Sequence, residues 1–352
     1  VISRLSLTNF RSYPQYEVEL DPQLTVVVGP NATGKTNLLE AIFVLATTKS
    51  FRAKDYELMN HDQNFYRITA MTPEGELGLG YQKTDQTTEK RAYLDNTKQP
   101  LVRHVGKLKV VLFEPNDTQL ILGAPERRRR YLDFILTQTD PNYLSLTHRY
   151  KRVLQQRNRL LSEWNGDTAE LFAWNVKLAE LAADIDAARR QVIDHINDLA
   201  VDGYKSIAGT QEPVQLRYIG SADEHDYPSH FIRLLEANQP RDLGAGFTTI
   251  GPHRDDVEIL FKNNDITSVA SRGEIRTVVL TLKLAELTYI KQKTGIPPIL
   301  LLDDVFSELD DQRRSLLTQA FRGHQVIITT TDGDMARQLK AHIISTKPGV
   351  KV

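Results

Sequence analysis

The stretch "LTVVVGPNATGKTNLLEAIFVLA", residues 24–46, decides the fold. Its middle, Gly29, Pro30, Asn31, Ala32, Thr33, Gly34, Lys35 and Thr36, fits G-x-x-x-x-G-K-[ST]. The pattern carries meaning only between a strand and a helix, and both flanks are present: an apolar β-branched run before it, a helical run after it. Loop N–H groups and the helix N-terminus then surround phosphates. Lys35 reaches the β- and γ-phosphates as a point charge, and the Thr36 hydroxyl faces Mg²⁺. All eight residues are candidate nucleotide contacts.

A phosphate loop needs a carboxylate nearby, and residues 297–310, "PPILLLDDVFSELD", supply one. The apolar run suits a central parallel strand buried on both faces. Asp303 at its end is placed to hold Mg²⁺ with Thr36. Asp304 is placed to orient or deprotonate a water. Aspartate is one methylene shorter than glutamate, which puts the base further from the water and predicts slow turnover, suited to a switch rather than a motor. The next strand ends in Thr329, Thr330 and Thr331. Thr331 is the candidate γ-phosphate sensor, although threonine also simply favours strands.

The bulk numbers bound the rest. The chain has 352 residues, 40% hydrophobic and 25% charged, with a formal net charge of -1. That is enough for about two domains. Any nucleic-acid site has to be a local patch, because the surface as a whole is not basic. The absence of cysteine excludes disulfides, thiolate metal sites and a cysteine nucleophile. With no long apolar run and no signal-peptide pattern, a cytoplasmic protein without a membrane partner is the expectation.

Strand patterns "ISRLSL", "YEVEL", "YRITAM", "ELGLGYQ" and "KRAYLD" fill the first third, around one helix near 37–46. Leu171, Leu178, Ile185, Val192 and Leu199 recur every seven residues, and Leu146, Val153 and Leu160 do so upstream. Asp167 or Thr168 can cap the second helix. This predicts an antiparallel hairpin about 45–50 Å long, either a protruding arm or the core of a helical lobe. From 245 on, strands "FTTI", "VEILF", "PPILLLDD" and "HQVIITTT" alternate with helices over 274–291 and 311–321.

The remaining motif is "SRGEIR", residues 271–276. Ser271 and Glu274 have the spacing of a capping box. A capped helix start also offers donors and a positive dipole end to an anion. Phosphate loop, insertion, Ser-x-Gly-Glu, acidic strand, Ser-x-Leu-Asp and polar strand end, in that order, resemble the ATP-binding-cassette ATPases. Ser271 and Gly273 match their signature, whereas Arg272 and Glu274 depart from it. Within that group the chain resembles the RecF family of bacterial recombination mediators, related to the structural-maintenance-of-chromosomes ATPases. The carrying stretches are "LSLTNFRSY" (5–13), "GPNATGKTNLLEAI" (29–42), "ERRRRYLD" (126–133), "IGPHRDDVE" (250–258) and "LLLDDVFSELD" (300–310).

The resemblance implies an α/β fold: an ABC-ATPase-type P-loop domain with a mixed sheet and an antiparallel β subdomain, plus a helical second lobe inserted between the P-loop and signature motifs. The expected divisions are 1–115, 116–245 and 246–352. It implies ATP and Mg²⁺ as ligands and slow, DNA-stimulated hydrolysis. It implies an ATP-dependent homodimer in which Ser271 and Gly273 meet the nucleotide of the other copy. Arg11 is expected near the phosphates. DNA, RecR and RecO are the implied partners, with double-stranded DNA and single/double-strand junctions bound without sequence preference, in a nucleoid-associated setting. The family usually has glycine where Ala32 stands, and an ordinary φ is expected for that alanine.

Two basic runs are candidate DNA surfaces, the first with Arg127 and Arg128, the second with Arg149, Lys151 and Arg152. Each also reads as a solvated helix face, and the arginines of the first run could equally brace the lobe interface or the nucleotide. Tyr131 and Tyr150 are placed to stack on bases or to fill the core. His253 and Arg254 of "GPHRDD" are expected in a turn, with His253 structural rather than a base. The competing functions are a transporter's energising subunit and a DNA scaffold that uses ATP only structurally.

Overall fold

The computed structural model describes residues 1–346 apart from Asn165, Gln211, Asp223 and Lys340; at Glu224, Ser307, Glu308 and Asp311 only the backbone is described. The strands are β1 (Arg4–Phe10), β2 (Tyr13–Glu19), β3 (Leu24–Val28), β4 (Phe65–Thr72), β5 (Gly75–Lys83), β6 (Thr88–Leu94), β7 (Thr97–Gln99), β8 (Val110–Phe113), β9 (Val214–Ile219), β10 (Asp256–Phe261), β11 (Asn264–Asp265), β12 (Ile299–Asp303), β13 (Val326–Thr330) and β14 (His342–Ser345). The chain divides into two compact units, residues 1–117 with 286–352, and residues 118–285.

Among the described residues the first unit holds two sheets. In the order β14-β3-β13-β12-β8 every pairing is parallel. Val326–Thr330 lies in register with Leu24–Val28, and Leu300–Asp303 with Val326–Thr329. Parallel strands covered on both faces need apolar side chains on both, which is why Ile299–Leu302 is buried without alternation. The P-loop helix, Lys35–Thr47, buries Leu38, Leu39, Ile42 and Val44 completely. The second sheet, β2-β1-β4-β5-β6-β7, is antiparallel. Along β4 the burial alternates, Tyr66, Ile68 and Ala70 in and Arg67 and Thr69 only part-covered, as period-2 geometry requires. β8 and β14 carry too short an apolar run to be read from sequence. Their edge positions in the parallel sheet come from tertiary pairing.

The second unit is built on the helices Tyr143–Ser162 and Thr168–Ala208. Asp167 caps the longer one, its side chain accepting from Glu170 N–H at 2.9 Å. At 20 and 41 residues they run to roughly 30 and 60 Å, so the second continues beyond the predicted hairpin. Leu178, Leu181 and Ile185 pack with Tyr150, Tyr227, Phe231 and Leu235 in one buried cluster. The heptads therefore build a lobe core, not a bare arm. Beside them lies the antiparallel sheet β11-β10-β9.

Two sequence expectations change here. Residues 247–250, "FTTI", form no strand. The backbone N–H groups of Thr248 and Thr249 go to side chains, Asn158 Oδ1 and Asp242 Oδ1, instead of a ladder. Residues 246–285, placed by sequence with the P-loop half, cluster with 118–245, because β10 pairs with β9 along its whole length.

Candidate functional site

The P-loop helix begins at Lys35 with Gly34 as its N-cap at φ 95°. A Cβ at Gly34 would lie 2.8 Å from Ser12 Oγ and 2.9 Å from Tyr13 Oη, so glycine is required for space as well as for φ. No acidic residue occupies the first turn, which leaves the helix dipole free to attract an anion. Pro30, Asn31 and Ala32 are exposed at the loop tip. Ala32 takes φ 64°, correcting the expectation of an ordinary φ. The loop needs a left-handed residue there, and alanine adopts it at a cost of about 1–2 kcal/mol. Thr33 Oγ1 donates to Pro30 O at 2.8 Å, tightening the turn. Gly29 N–H donates to Thr330 O, tying the loop to β13. The buried Lys35 ammonium donates to Gly29 O at 2.7 Å and Pro30 O at 2.8 Å. Burial pulls its pKa down, and Asp304 and Asp303 oppose that.

The ends of β12 and β13 meet this loop. Thr36 Oγ1 donates to Asp303 Oδ1 at 2.9 Å, joining the helix start to the end of β12. Thr329 Oγ1, on β13, donates to the same Oδ1 at 2.7 Å. Asp304 follows at φ 51°, its N–H held by Thr329 O at 3.1 Å. Burial pushes the Asp304 carboxyl up; Lys35 draws it down, Asp303 pushes it further up, and the Thr331 N–H hydrogen bond draws it down. Thr331, chosen from sequence as the sensor, therefore touches Asp304 through its backbone, with an exposed side chain. The buried Thr329 is the threonine that fixes the acid pair. Position at the strand end singled out Thr331 from sequence, whereas strand register brings Thr329 to Asp303.

A hydroxyl and a carboxylate oxygen 2.9 Å apart at a phosphate loop fit Mg²⁺, which takes one or two protein oxygens and keeps water and phosphate oxygens for the rest. Among the described residues there is no cluster of three or more His, Asp or Glu that could hold a metal by itself. Beyond Asp304, Val305–Glu308 forms a short helical turn that takes in the first two residues of "SELD". Asp310 then caps the helix Asp311–Gln319 by accepting from Arg313 N–H.

Arg11, expected at the phosphates, has left-handed backbone and a guanidinium held by Glu40 through bonds of 2.8 and 2.9 Å. Its third contact is Glu57 O at 2.8 Å.

In the second unit the capping box forms. Ser271 N–H donates to Glu274 Oε2 at 2.8 Å and Glu274 N–H to Ser271 Oγ at 3.3 Å. The helix Arg272–Thr294 starts there. A Cβ on Gly273 would meet only Ser271 Oγ at 4.0 Å, so this glycine leaves its surface open rather than relieving an internal clash.

The candidate DNA residues separate. Arg149, Lys151 and Arg152 are exposed on one helix, as is Arg127 on the helix Pro125–Thr139. Arg128 turns inward, with two bonds to Asp256 at 2.7 and 2.9 Å and one to Gly123 O at 2.8 Å. It braces the lobe and is withdrawn as a DNA contact. Tyr131 and Tyr150 are buried and pack in the core.

The "GPHRDD" turn also resolves. His253 Nδ1 faces Tyr150 Oη at 2.8 Å and Nε2 faces Thr248 O at 3.1 Å. Burial, with the charges of Arg254 and Arg129, pushes the His253 pKa down to about 4. Tyr218 and Ser221 both donate to the carboxylate of buried Asp255. The motif is a polar knot inside the lobe.

The RecF/RecN/SMC N terminal domain family matches residues 1–112. The DNA replication and repair protein RecF of Microcystis aeruginosa is 36% identical over 94% of this chain and 93% of its own. That of Limosilactobacillus fermentum is 35% identical over 97% and 95%. A solved structure of the recombination mediator protein RecF-ATP in the RecFOR pathway superposes with a TM-score of 0.87 at 30% identity, covering 95% of this chain and 92% of the other. With identity above one third sustained over nearly the full length of both chains, the protein belongs to the RecF family.

Proposed function

We propose that this chain is an ATP-binding protein of DNA replication and repair that closes as an ATP-dependent dimer on DNA and hydrolyses ATP slowly. The observation that carries this reading is the contact of Thr36 and Thr329 with Asp303, set beside Lys35 and Asp304 at the mouth of a phosphate loop. The solved relative described as RecF-ATP supports ATP as the nucleotide.

Residues 29–36 cradle the phosphates with loop N–H groups, and Lys35 adds the charge. Mg²⁺ supplies neutralisation of the phosphate oxygens when held by Thr36 and Asp303. Asp304 accepts a proton from the attacking water, whose oxygen bonds to the γ-phosphorus as the bond to the β-phosphate oxygen breaks, leaving ADP and phosphate. Burial strengthens Asp304 as a base by raising its pKa. Thr331 orients it through the backbone.

In the dimer, the Ser271 helix start with Gly273 faces the γ-phosphate of the other copy, as the signature resemblance implies. Loss of that phosphate removes the contact and opens the pair. Arg149, Lys151, Arg152 and Arg127 neutralise DNA phosphates without reading bases. The RecFOR pathway named for the solved relative supports RecO and RecR as partners in loading recombinase at gaps. Among the described residues no helix is long and apolar enough to cross a membrane.

The test is light scattering with and without ATP, together with binding to duplex, single-stranded and gapped DNA at stated salt. The wild-type chain is expected to dimerise with ATP and to bind DNA better with it. Lys35→Met and Ser271→Arg are expected to stay monomeric. Normal ATP-driven dimers of either variant would overturn the scheme.

A further inference from the structure

Glu40 is the sole acidic residue of the P-loop helix, and its carboxylate is fully buried. It accepts from Arg11 Nε at 2.8 Å and Nη2 at 2.9 Å, from Arg52 Nη2 at 2.8 Å and from Ser50 Oγ at 2.5 Å. Burial works against its charge, but the bonds from Arg11, Arg52 and Ser50 more than offset it and hold the carboxyl below its ordinary range. An apolar side chain of similar size would fill this place with no desolvation cost, so stability alone is a weak reason for a buried ion cluster. What the cluster supplies is geometry.

The two guanidinium groups reach one carboxylate from different segments, Arg11 from the turn between β1 and β2, Arg52 from the loop after the P-loop helix. Both side chains come out toward solvent, 21% and 38% exposed. They line an open cleft of about 620 Å³ with Ser12, Asn37, Ala53 and Glu57. The network continues to the phosphate loop: Arg52 Nη2 donates to Asn37 Oδ1 at 2.6 Å, and Asn37 Nδ2 donates to Ser12 Oγ at 2.8 Å. Asn37 directly follows Thr36, and Ser12 is the residue a Cβ on Gly34 would strike.

We propose that Glu40 is a positioning residue for nucleotide binding, which sets Arg11 and Arg52 as a fixed pair of guanidinium donors in the cleft beside the first turn of the P-loop helix. Planar forks held from behind lose little freedom when they meet phosphate oxygens. Arg52 belongs to the nucleotide site on this view, although no sequence motif marks it. The inference rests on residues 29–36 being the nucleotide cradle.

The experiment is calorimetric titration of the full chain with MgATP, comparing wild type, Lys35→Ala, Glu40→Gln, Arg52→Ala and Glu40→Gln/Arg52→Ala at a temperature where each is folded. Loss of one charge-assisted contact, at 1.4 kcal/mol per decade of Kd, corresponds to about a tenfold weaker Kd for Glu40→Gln and for Arg52→Ala. The double variant is expected within about twofold of Glu40→Gln, because Glu40 acts through the guanidinium groups it holds, that of Arg52 among them. A merely structural Glu40 would lower the melting temperature and leave the Kd of the folded protein unchanged. If Glu40→Gln does not fold, Arg52→Ala, altered at the half-exposed end of the network, decides alone. Wild-type Kd in folded Arg52→Ala, or fully additive losses in the double variant, overturns the inference while the Lys35→Ala loss keeps the cradle reading intact. Absence of ATP binding by the wild type, or its persistence in Lys35→Ala, overturns both.

Discussion

Thr329 Oγ1 lies 2.7 Å from Asp303 Oδ1, so a buried hydroxyl on one central strand holds the carboxylate at the end of its neighbour. The same oxygen receives Thr36, which leaves Asp303 with both its rotamer and its distance to the phosphate loop set. Thr329→Val keeps the volume and removes that bond. The expected result is phosphate release slowed about tenfold with a stability loss of only about 1 kcal/mol. Steady-state hydrolysis and denaturant melts check it, and unchanged turnover would remove Thr329 from the site.

Ala32 at φ 64° is a residue in a conformation that glycine adopts freely. Ala32→Gly is expected to gain about 0.5–1 kcal/mol, because the relieved strain exceeds the extra backbone entropy lost. Ala32→Val, β-branched in the same region, is expected to lose more than that and to weaken ATP binding. Melting of the three proteins in parallel decides it. A stabilised valine variant would show the loop adapts its backbone.

Arg157 and Asp242 form a fully buried ion pair at 2.8 Å, supported by Asn175 and Thr248. Removing one partner strands the other charge. Arg157→Leu is expected to cost about 3–5 kcal/mol, and Arg157→Leu/Asp242→Leu to recover part of it. Urea unfolding followed by fluorescence measures both. If the double variant were as unstable as the single one, the loss would come from packing instead of from the stranded carboxylate.

His253 sets an acid limit on the second unit. Its pKa is pushed to about 4, below its unfolded value, so the fold favours the neutral ring. Stability from this group is complete above pH 6.5 and is lost as pH falls through 6.5 toward 4, by an amount on the order of 2 kcal/mol after discounting for partial exposure. His253→Gln keeps an acceptor and a donor without a proton to gain. Its stability is expected to change less between pH 7 and 4.5 than that of the wild type, by circular dichroism melts across that range.

Charge reversal separates the two basic runs. Arg149→Glu/Arg152→Glu is expected to weaken DNA binding and to lower the slope of log K against log salt by about one unit per lost phosphate contact. Arg128→Ala is expected to destabilise the lobe through loss of Asp256 bonding and to leave that slope unchanged. A salt slope that fell for Arg128→Ala and held for the double reversal would exchange their roles.

Membership of the RecF family sets aside the transporter reading that sequence order alone left open. The phosphate loop, the acidic strand end and the capping box at Ser271 were all legible because each is a local pattern. A glycine at a turn, an apolar run ending in carboxylates and a serine three residues before a glutamate express their chemistry within a few residues of chain. The P-loop and acidic strands, and the helices that follow them, followed from the same short-range periodicities.

Tertiary structure alone decided which partner each side chain would find. Arg127 and Arg128 are neighbours in sequence, yet one is exposed and the other is bound to Asp256, 128 residues away. Among three consecutive threonines, the register of β13 against β12 selected Thr329 for Asp303. Glu40 reads as a helix residue until Arg11 and Arg52 arrive from other segments to close on it. Such contacts depend on burial and on the pairing of strands far apart in the chain, and a desolvated charge takes its partner from whatever the fold brings within about 3 Å.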